Sequence, residues 1–180
     1  MTGDRYVFMS RLAGSSAGTS LPPSLSLSIW KPSPLRLWPY GLTPFPAAVW
    51  SLFHLFHVFA NRNYCVAIVS DGKKVVHRCF VFPRYFRFPF MGNDDVQLGD
   101  LYTDSAYRGL GVAPAVMQEI VNNSSLVSRR ARVWYLVEEG NSGSIRAAEK
   151  AGFSPFARGS RHGRFGFRII GYFGIDDSLG

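Results

Sequence analysis

The stretch Asp100-Leu-Tyr-Thr-Asp-Ser-Ala-Tyr-Arg-Gly-Leu-Gly-Val-Ala113 leads from a predicted strand into a predicted helix. The strand is predicted over Val96 to Thr103, and apolar residues spaced three and four positions apart predict an amphipathic helix from Gly111 to Asn122. Glycine lets backbone amides approach a ligand closely, and the first amides of a helix have no partner within it. Because the helix dipole adds partial positive charge there, this turn suits an anionic group such as pyrophosphate, and Arg108 adds a cation.

Two glycines at a helix start are a weak signal by themselves, since an ordinary tight turn has the same pattern. The segment is not a Walker loop, because no Gly-Lys-Ser/Thr follows. It is not a dinucleotide-binding fingerprint either, since the third glycine spacing is absent and no acidic residue ends the next strand in the usual way.

A second motif lies downstream, Asn141-Ser-Gly-Ser-Ile-Arg-Ala-Ala-Glu-Lys-Ala-Gly-Phe153. It predicts a short helix from Ser142 to Ala151, which Asn141 can cap at its start. Lys150 suits the last turn, and Gly152 suits the left-handed position beyond the end.

The two motifs together resemble those of the GNAT N-acyltransferase superfamily, over residues 64 to 156. Arg108, Gly111 and Ala113 match its acyl-CoA-binding motif, and the Asn-led helix ending in Lys-x-Gly-Phe matches a later one. The resemblance implies an α/β (α+β) fold, with a mixed, mostly antiparallel sheet flanked by helices. It also implies an acyl-CoA N-acyltransferase, with acetyl-CoA or another acyl-CoA as cofactor.

The resemblance further implies how the cofactor is held. Backbone groups around Leu101 and Thr103 would pair with the pantetheine arm as an added strand, and amides of residues 109 to 113 would bind the pyrophosphate. Asn141 and Ser144 would lie beside the thioester or the arm, although Asn141 is equally well explained as a plain helix cap. The predicted cofactor-binding residues are Leu101, Tyr102, Thr103, Arg108, Gly109, Leu110, Gly111, Val112, Ala113, Asn141 and Ser144.

Acyl transfer needs a base for the attacking amine and a proton for the departing thiolate. Asp100 is the first candidate base and Glu138 the second, although a carboxylate near a strand end is more often a solvated or paired surface charge. The superfamily pattern places a tyrosine acid at the position of Ala148. Its absence here leaves another group, or solvent, to protonate the thiolate.

Composition restricts the partners. A net charge of +8 favours anionic partners, but no zinc-finger spacing, RNA-binding signature or basic run predicts nucleic-acid binding. Cys65 and Cys79 are predicted to be free thiols of a reducing, cytoplasmic environment. The apolar stretch from Ala47 to Ala60 is too short for a transmembrane segment. It contains His54 and His57, which would share a helix face, but no third ligand has metal-site spacing, so no metal is predicted.

A single domain is predicted over residues 1–180, in which residues 1–60 form a divergent, Pro- and aromatic-rich segment on the acceptor side and residues 64–156 form the acyl-CoA-binding core. The other predicted elements are a strand at 6–9, a loop at 14–28, short helical turns between 22 and 46, a helix at 46–60, a hairpin of 64–69 and 75–82 around Asp71-Gly72, a bent or edge strand at 84–91, a strand at 132–137 and a strand-like tail at 165–173.

Three functions are compatible with these features. The first is an N-acyltransferase acting on a primary amine, a small molecule such as an amino sugar or amino acid. The second is a long-chain acyl transferase that uses acyl-CoA or an acyl carrier protein, whose acidity would suit the basic surface. The third is a GNAT-like module that binds coenzyme A without turnover. The oligomeric state is open, a dimer included.

Overall fold

The strands of this protein pair into one mixed sheet, seen in a computed structural model that describes residues 5–14, 20–164 and 167–179. In chain order the elements are β1 (Arg5–Leu12), β2 (Leu25–Trp30), α1 (Pro44–Leu55), β3 (Cys65–Asp71), β4 (Lys74–Pro83), β5 (Val96–Thr103), α2 (Val112–Asn122), β6 (Arg132–Glu138), α3 (Ser142–Lys150), β7 (Ser154–Arg164) and β8 (Phe167–Ser178). The sheet order is β2-β3-β4-β5-β6-β1-β7-β8, and every neighbouring pair is antiparallel except β5 and β6. The predicted mixed, mostly antiparallel fold is therefore confirmed.

The two faces of the sheet are covered differently. On one, here called the helical face, α2 and α3 pack on aliphatic side chains such as Val81, Leu98 and Val133. On the other, the aromatic face, α1 and residues 84–91 cover rings that include Phe80 and Phe82. Since side chains of a strand alternate between faces, a strand covered on both sides is apolar along its covered length, as β3 is from Cys65 to Val69.

The N-terminal strand lies far from its sequence neighbours. β1 is predicted as a strand, but its place between β6 and β7 is set by long-range pairing, with Phe8 opposite both Leu136 and Ala157. Strand β7 is not predicted from the sequence. The tail prediction is confirmed for residues 167–173, while Phe165 and Gly166 lie outside the described residues.

Two predictions for irregular segments are wrong. The predicted loop at 14–28 contains the start of β2, which pairs along β3 with Leu25 opposite Asp71. Residues 84–91 form successive turns and no strand, with amide-to-carbonyl bonds from Phe88 to Tyr85 and from Met91 to Phe88. Burial of these three side chains in the aromatic face favours the turns over an extended edge.

Helix α1 begins and ends earlier than predicted, and this separates the two histidines. The backbone of His57 is left-handed, with φ of 59°. Hydrogen bonds from the His57 amide to the His54 carbonyl and from the Val58 amide to the Phe53 carbonyl end the helix. His57 therefore lies beyond the helix, and the expectation that it shares a helical face with His54 is wrong.

The β3–β4 hairpin is confirmed, and its cysteines are free and buried. Gly72 supplies the positive φ of the turn, at 55°, while Asp71 remains in the strand opposite Lys74. Burial raises the pKa of Cys65 to about 12. No helix in the described part of the chain is long and apolar enough to cross a bilayer.

Candidate active site

The site begins where the parallel strands β5 and β6 separate. They pair at only three positions, the last of which joins Leu98 to Tyr135. Both strands continue beyond it, to Thr103 and Glu138. The edge of β5 that faces β6 is thus unpaired from Gly99 onward, and it can accept an extended ligand as an added strand.

A bulge in β5 accompanies this separation. Phe80 of β4 lies opposite Gly99 and Arg78 lies opposite Tyr102, so two β5 residues, Asp100 and Leu101, face one residue of β4. Asp100 adopts a φ of 44°, which a short polar side chain tolerates better than most. Such a bulge bends its strand and increases the local twist, which directs β5 away from β6.

A cavity of about 590 Å³ lies on the helical face beside the separated strands. Ten of the eleven predicted cofactor-binding residues line it, namely Leu101, Tyr102, Thr103, Arg108, Gly109, Gly111, Val112, Ala113, Asn141 and Ser144. Leu110 is outside the lining. The structure therefore brings together two motifs that are about thirty residues apart in sequence. Their binding of a cofactor remains a prediction.

The glycine loop presents backbone amides to this cavity. Gly109 and Gly111 have φ of 79° and 77°, and the first helical bond of α2 runs from the Ala115 amide to the Gly111 carbonyl at 3.1 Å. The amides of Val112 and Ala113 precede that bond, so they have no partner within the helix. At the positive end of α2 they fit an anionic oxygen.

The hairpin anchors the loop from the other side. The Asp104 carboxylate lies 2.8 Å from the Lys74 ammonium and accepts the Ala106 amide at 3.0 Å. These two bonds lower the pKa of Asp104, that to Lys74 contributing most. Tyr107 donates its hydroxyl to Asp71 at 2.7 Å. The turn before the glycine loop is thereby tied to β3 and β4 at two points.

Cations surround the cavity. The Arg108 Nε donates to the Thr103 carbonyl at 3.1 Å, which holds the guanidinium at the β5 end. Arg146 and Lys150 line the cavity from α3, and none of the described lining residues is acidic. Gln118 of α2 donates to the Lys150 carbonyl at 3.0 Å and joins the two helices. The cavity is thus suited to a polyanionic ligand.

The cap interpretation of Asn141 is confirmed, and the residue lines the cavity as well. Its Oδ1 accepts the Ser144 amide at 3.1 Å, which fixes the first turn of α3. Both residues therefore lie where the strands part.

The two predicted bases lie elsewhere. Asp100 receives two bonds from the Arg78 guanidinium, each of 3.2 Å, and Glu138 is exposed at the end of β6. Arg78 pairs with Ile68, whose side chain lies on the aromatic face. Glu138 is four residues after Trp134 along β6, so its side chain points to the same face as that of Trp134. Both carboxylates thus belong to the aromatic face, across the separated strands from the cavity. Their catalytic roles stay predictions.

Sequence reasoning missed several residues of this site. The further lining residues are Tyr107, Pro114, Tyr135, Gly143, Arg146, Ala147 and Lys150. Arg146 and Lys150 could have been found from the four-residue spacing that places them on one face of α3. Nothing local marks Tyr135, whose position depends on how β5 and β6 pair.

His77 adjoins the cavity from beneath. It is fully buried, and its Nδ1 lies 2.8 Å from the hydroxyl of Thr103, a lining residue. Burial, together with the charge of Arg78, lowers the pKa of His77 to about 4. The imidazole is therefore neutral at physiological pH, and it orients the Thr103 side chain.

Comparison with known structures agrees with this architecture. A GNAT-family acetyltransferase from Colwellia psychrerythraea superposes with a TM-score of 0.56 and 12% identity, over 86% of this chain and 53% of that one. A tandem GNAT protein from the clavulanic acid biosynthesis pathway gives a TM-score of 0.56 and 11% identity, over 88% and 52%. A putative GNAT acetyltransferase from Novosphingobium aromaticivorans gives 0.52 and 14%, over 86% and 61%. The chain spans only about half to three fifths of their length.

No curated protein matches the sequence. The sequence model described as "Acetyltransferase (GNAT) family" matches residues 29–153, which include both motifs and the separated strands. The match covers well over half of the chain, and the fold agrees with it. The chain belongs to the GNAT acetyltransferase family.

Proposed function

We propose that this protein transfers an acyl group, acetyl by default, from acyl-CoA to the primary amine of a small molecule such as an amino sugar or amino acid. One observation carries the proposal: a single cavity connects an anion-binding loop to the point where β5 and β6 separate. The loop suits a pyrophosphate, and the unpaired edge of β5 suits an amide-containing arm. An ordinary surface groove would need neither an anion-binding loop nor an unpaired strand edge.

Each end of the cavity has a distinct task. The amides of Val112 and Ala113, with the Arg108 guanidinium, would hold the pyrophosphate, since charge and unpaired donors coincide there. Backbone groups of Leu101 and Thr103 would direct the pantetheine arm toward Asn141. When bound, acyl-CoA supplies an activated thioester carbonyl, which an uncharged amine can attack.

The amine would approach from the aromatic face, through the gap between the separated strands. Asp100 and Glu138 belong to that face and could accept the proton that the amine loses. Asp100 can do so only if Arg78 yields part of its bidentate contact, whereas Glu138 is exposed at the strand end. The variants Asp100→Asn and Glu138→Gln distinguish the two carboxylates. The acid limb of the pH–rate profile should disappear only in the variant that lacks the catalytic base.

A matched pair of glycine variants tests cofactor binding. Gly109 and Gly14 both have positive φ, 79° and 87°, and a Cβ on either would meet no atom within 4 Å. Gly109 lies in the glycine loop, while the amide of Gly14 donates a hydrogen bond to the Val121 carbonyl at the far end of α2. Gly109→Val should weaken acetyl-CoA binding at least about 10-fold, because the side chain would occupy the space of the phosphates, and Gly14→Val should not.

Binding is measured by calorimetry and by thermal denaturation with acetyl-CoA, palmitoyl-CoA and free coenzyme A. A ligand that binds only the folded state must raise the unfolding midpoint. No shift with any of the three, or equal affinity of the two glycine variants, would overturn the cofactor assignment. Thiol release is then measured across a panel of amines.

Two alternatives have specific support. Ala148, where the family pattern has a tyrosine, is fully buried and bears no acid, which favours a module that binds coenzyme A without turnover. The many rings of the aromatic face favour a long acyl chain, delivered by acyl-CoA or an acyl carrier protein. Tight binding without thiol release would support the first, and a larger midpoint shift with palmitoyl-CoA would support the second.

A further inference from the structure

We propose that Tyr135 of β6 is the general acid that protonates the departing thiolate, in place of the tyrosine that α3 lacks at Ala148. The inference rests on the proposed acyl transfer. The proton donor would then lie on strand β6 and not on helix α3.

Tyr135 lies at the point where the strands separate. It is the last β6 residue paired with β5, opposite Leu98, and its side chain is on the helical face. The side chain is only 7% exposed and lines the cavity together with Asn141 and Ser144. A ligand that passes from the glycine loop along the edge of β5 would end beside this ring.

The first turn of α3 and Tyr135 line the same cavity. The Ser144 side chain belongs to that lining, and the Ser144 amide is fixed by Asn141 at 3.1 Å. A hydrogen bond donated by the Ser144 hydroxyl to the phenol oxygen would leave the proton of Tyr135 free to point into the cavity. The same hydrogen bond would stabilise the phenolate that remains after proton transfer. Burial raises the pKa of Tyr135, so the phenol is protonated at neutral pH.

The other tyrosines of the cavity are committed elsewhere. Tyr107 donates its hydroxyl to Asp71, and Tyr102 is half-exposed with its ring under the Arg78 guanidinium, 5.1 Å from the centroid. Ala148 is buried in the same core cluster as Tyr135. Among the described tyrosines that line the cavity, Tyr135 alone is buried and lies at the point where β5 and β6 separate.

The transfer step balances without any further reactant. A bond forms between the amine nitrogen and the carbonyl carbon, and the carbon–sulfur bond breaks with its electron pair going to sulfur. Tyr135 donates its hydroxyl proton to that sulfur. The amine releases one proton to a base or to water, and the phenolate regains one from solvent. The net result is the transfer of one acyl group and of one proton from nitrogen to sulfur.

Tyr135→Phe tests the assignment, with Tyr64→Phe as its matched control. Both tyrosines are buried, at 7% and 0% exposure, but Tyr64 is enclosed among aromatic rings, where no substrate can contact it. Tyr135→Phe should lower kcat for thiol release about 10- to 100-fold with little change in KM for acetyl-CoA, and should remove the alkaline limb of the pH profile. Tyr64→Phe should leave both kcat and the pH profile unchanged.

A binding measurement provides a readout that does not depend on turnover. Wild-type protein should bind coenzyme A several-fold more tightly than desulfo-coenzyme A, since the phenol contacts the sulfur, and Tyr135→Phe should abolish that preference alone. Retention of full kcat by Tyr135→Phe would overturn the proposal. So would an equal loss of affinity for both ligands together with a lowered unfolding midpoint, because that pattern indicates a purely structural role.

Failure of the proposed function has a different signature. If wild-type protein binds coenzyme A but releases no thiol with any amine, acyl transfer is excluded, and the acid assignment falls with it. In that case a preference for coenzyme A over its desulfo analogue that is lost in Tyr135→Phe would still place Tyr135 at the sulfur.

Discussion

The helical and aromatic faces of the sheet differ in how their sites are built. The cavity on the helical face is formed mainly by two short segments, residues 101–114 and 141–150, each with its own turn and helix. The aromatic face draws on α1, residues 84–91, β1 and β8, which are distant in sequence. A cavity that suits a polyanionic ligand can thus be made from local motifs, whereas the aromatic face is made by tertiary packing. This explains why a ligand of the cavity can be proposed from the sequence more readily than a ligand of the aromatic face.

The two faces also differ in chemistry. The cavity offers amides, three cations and three tyrosines, while the aromatic face offers rings in edge-to-face contact, such as Trp50 with Phe82 at 5.1 Å. Part of the aromatic side remains uncovered, since Phe45 and Phe56 at the ends of α1 are 80% and 77% exposed. The following changes test whether the faces act independently, in order of decreasing effect.

The largest effect is expected on the aromatic face. Phe80 is 2% exposed and stacks with Phe82, so Phe80→Ala should lower the free energy of unfolding by about 3–5 kcal/mol. Urea denaturation measures the loss. Affinity for coenzyme A, measured well below the denaturation midpoint, should stay within about 2-fold. A large loss of affinity in the folded variant would contradict the independence of the two faces.

The next effect concerns pH and the helical face. Because the folded pKa of His77, about 4, is below its ordinary value of 6.5, the folded state binds fewer protons between these values. The stability from the neutral imidazole is complete above pH 6.5 and is lost as pH falls toward 4, by up to about 3 kcal/mol. In the His77→Asn variant, the asparagine could still hydrogen-bond Thr103 but does not titrate. Its free energy of unfolding should therefore lack the pH-dependent part that His77 contributes.

Denaturation curves of both proteins between pH 4 and 7 check this expectation. Carboxylates titrate in both, so only the difference between the curves reports on His77. Parallel curves over the whole range would refute it.

The smallest effect is electrostatic. Arg146→Ala should weaken coenzyme A binding about 10-fold, or about 1.4 kcal/mol, and less at high salt, because Arg146 is exposed and its charge is screened by salt. Arg84→Ala is the control, since Arg84 binds Asn93 at 2.7 Å and lies outside the cavity. The unfolding midpoint should not change in either variant. Equal affinities would show that the charge of Arg146 has no part in binding.

Local signals explain which parts of the site are predictable. The glycines at 109 and 111 and the cap at Asn141 act within a few residues of themselves, so their spacing in the sequence carries their geometry. Leu110 is the exception within the loop, because a side chain between two left-handed glycines can point away from the cavity. The turns at residues 84–91, where a strand is predicted, cannot be predicted from local spacing, since burial against other elements favours them.

The sequence by itself determined the helices α2 and α3, the caps of α3, the hairpin and the glycine turn before α2, because these depend on neighbours three or four residues apart. Only the tertiary structure decided where β1 enters the sheet, that Arg78 holds Asp100 at a bulge, and that β5 and β6 part after Leu98 and Tyr135. It also decided that Tyr135 and Ser144 line one cavity, while Ala148 offers no acid. Those contacts join residues far apart in the chain, and strand pairing, which depends on the whole sheet, determines them.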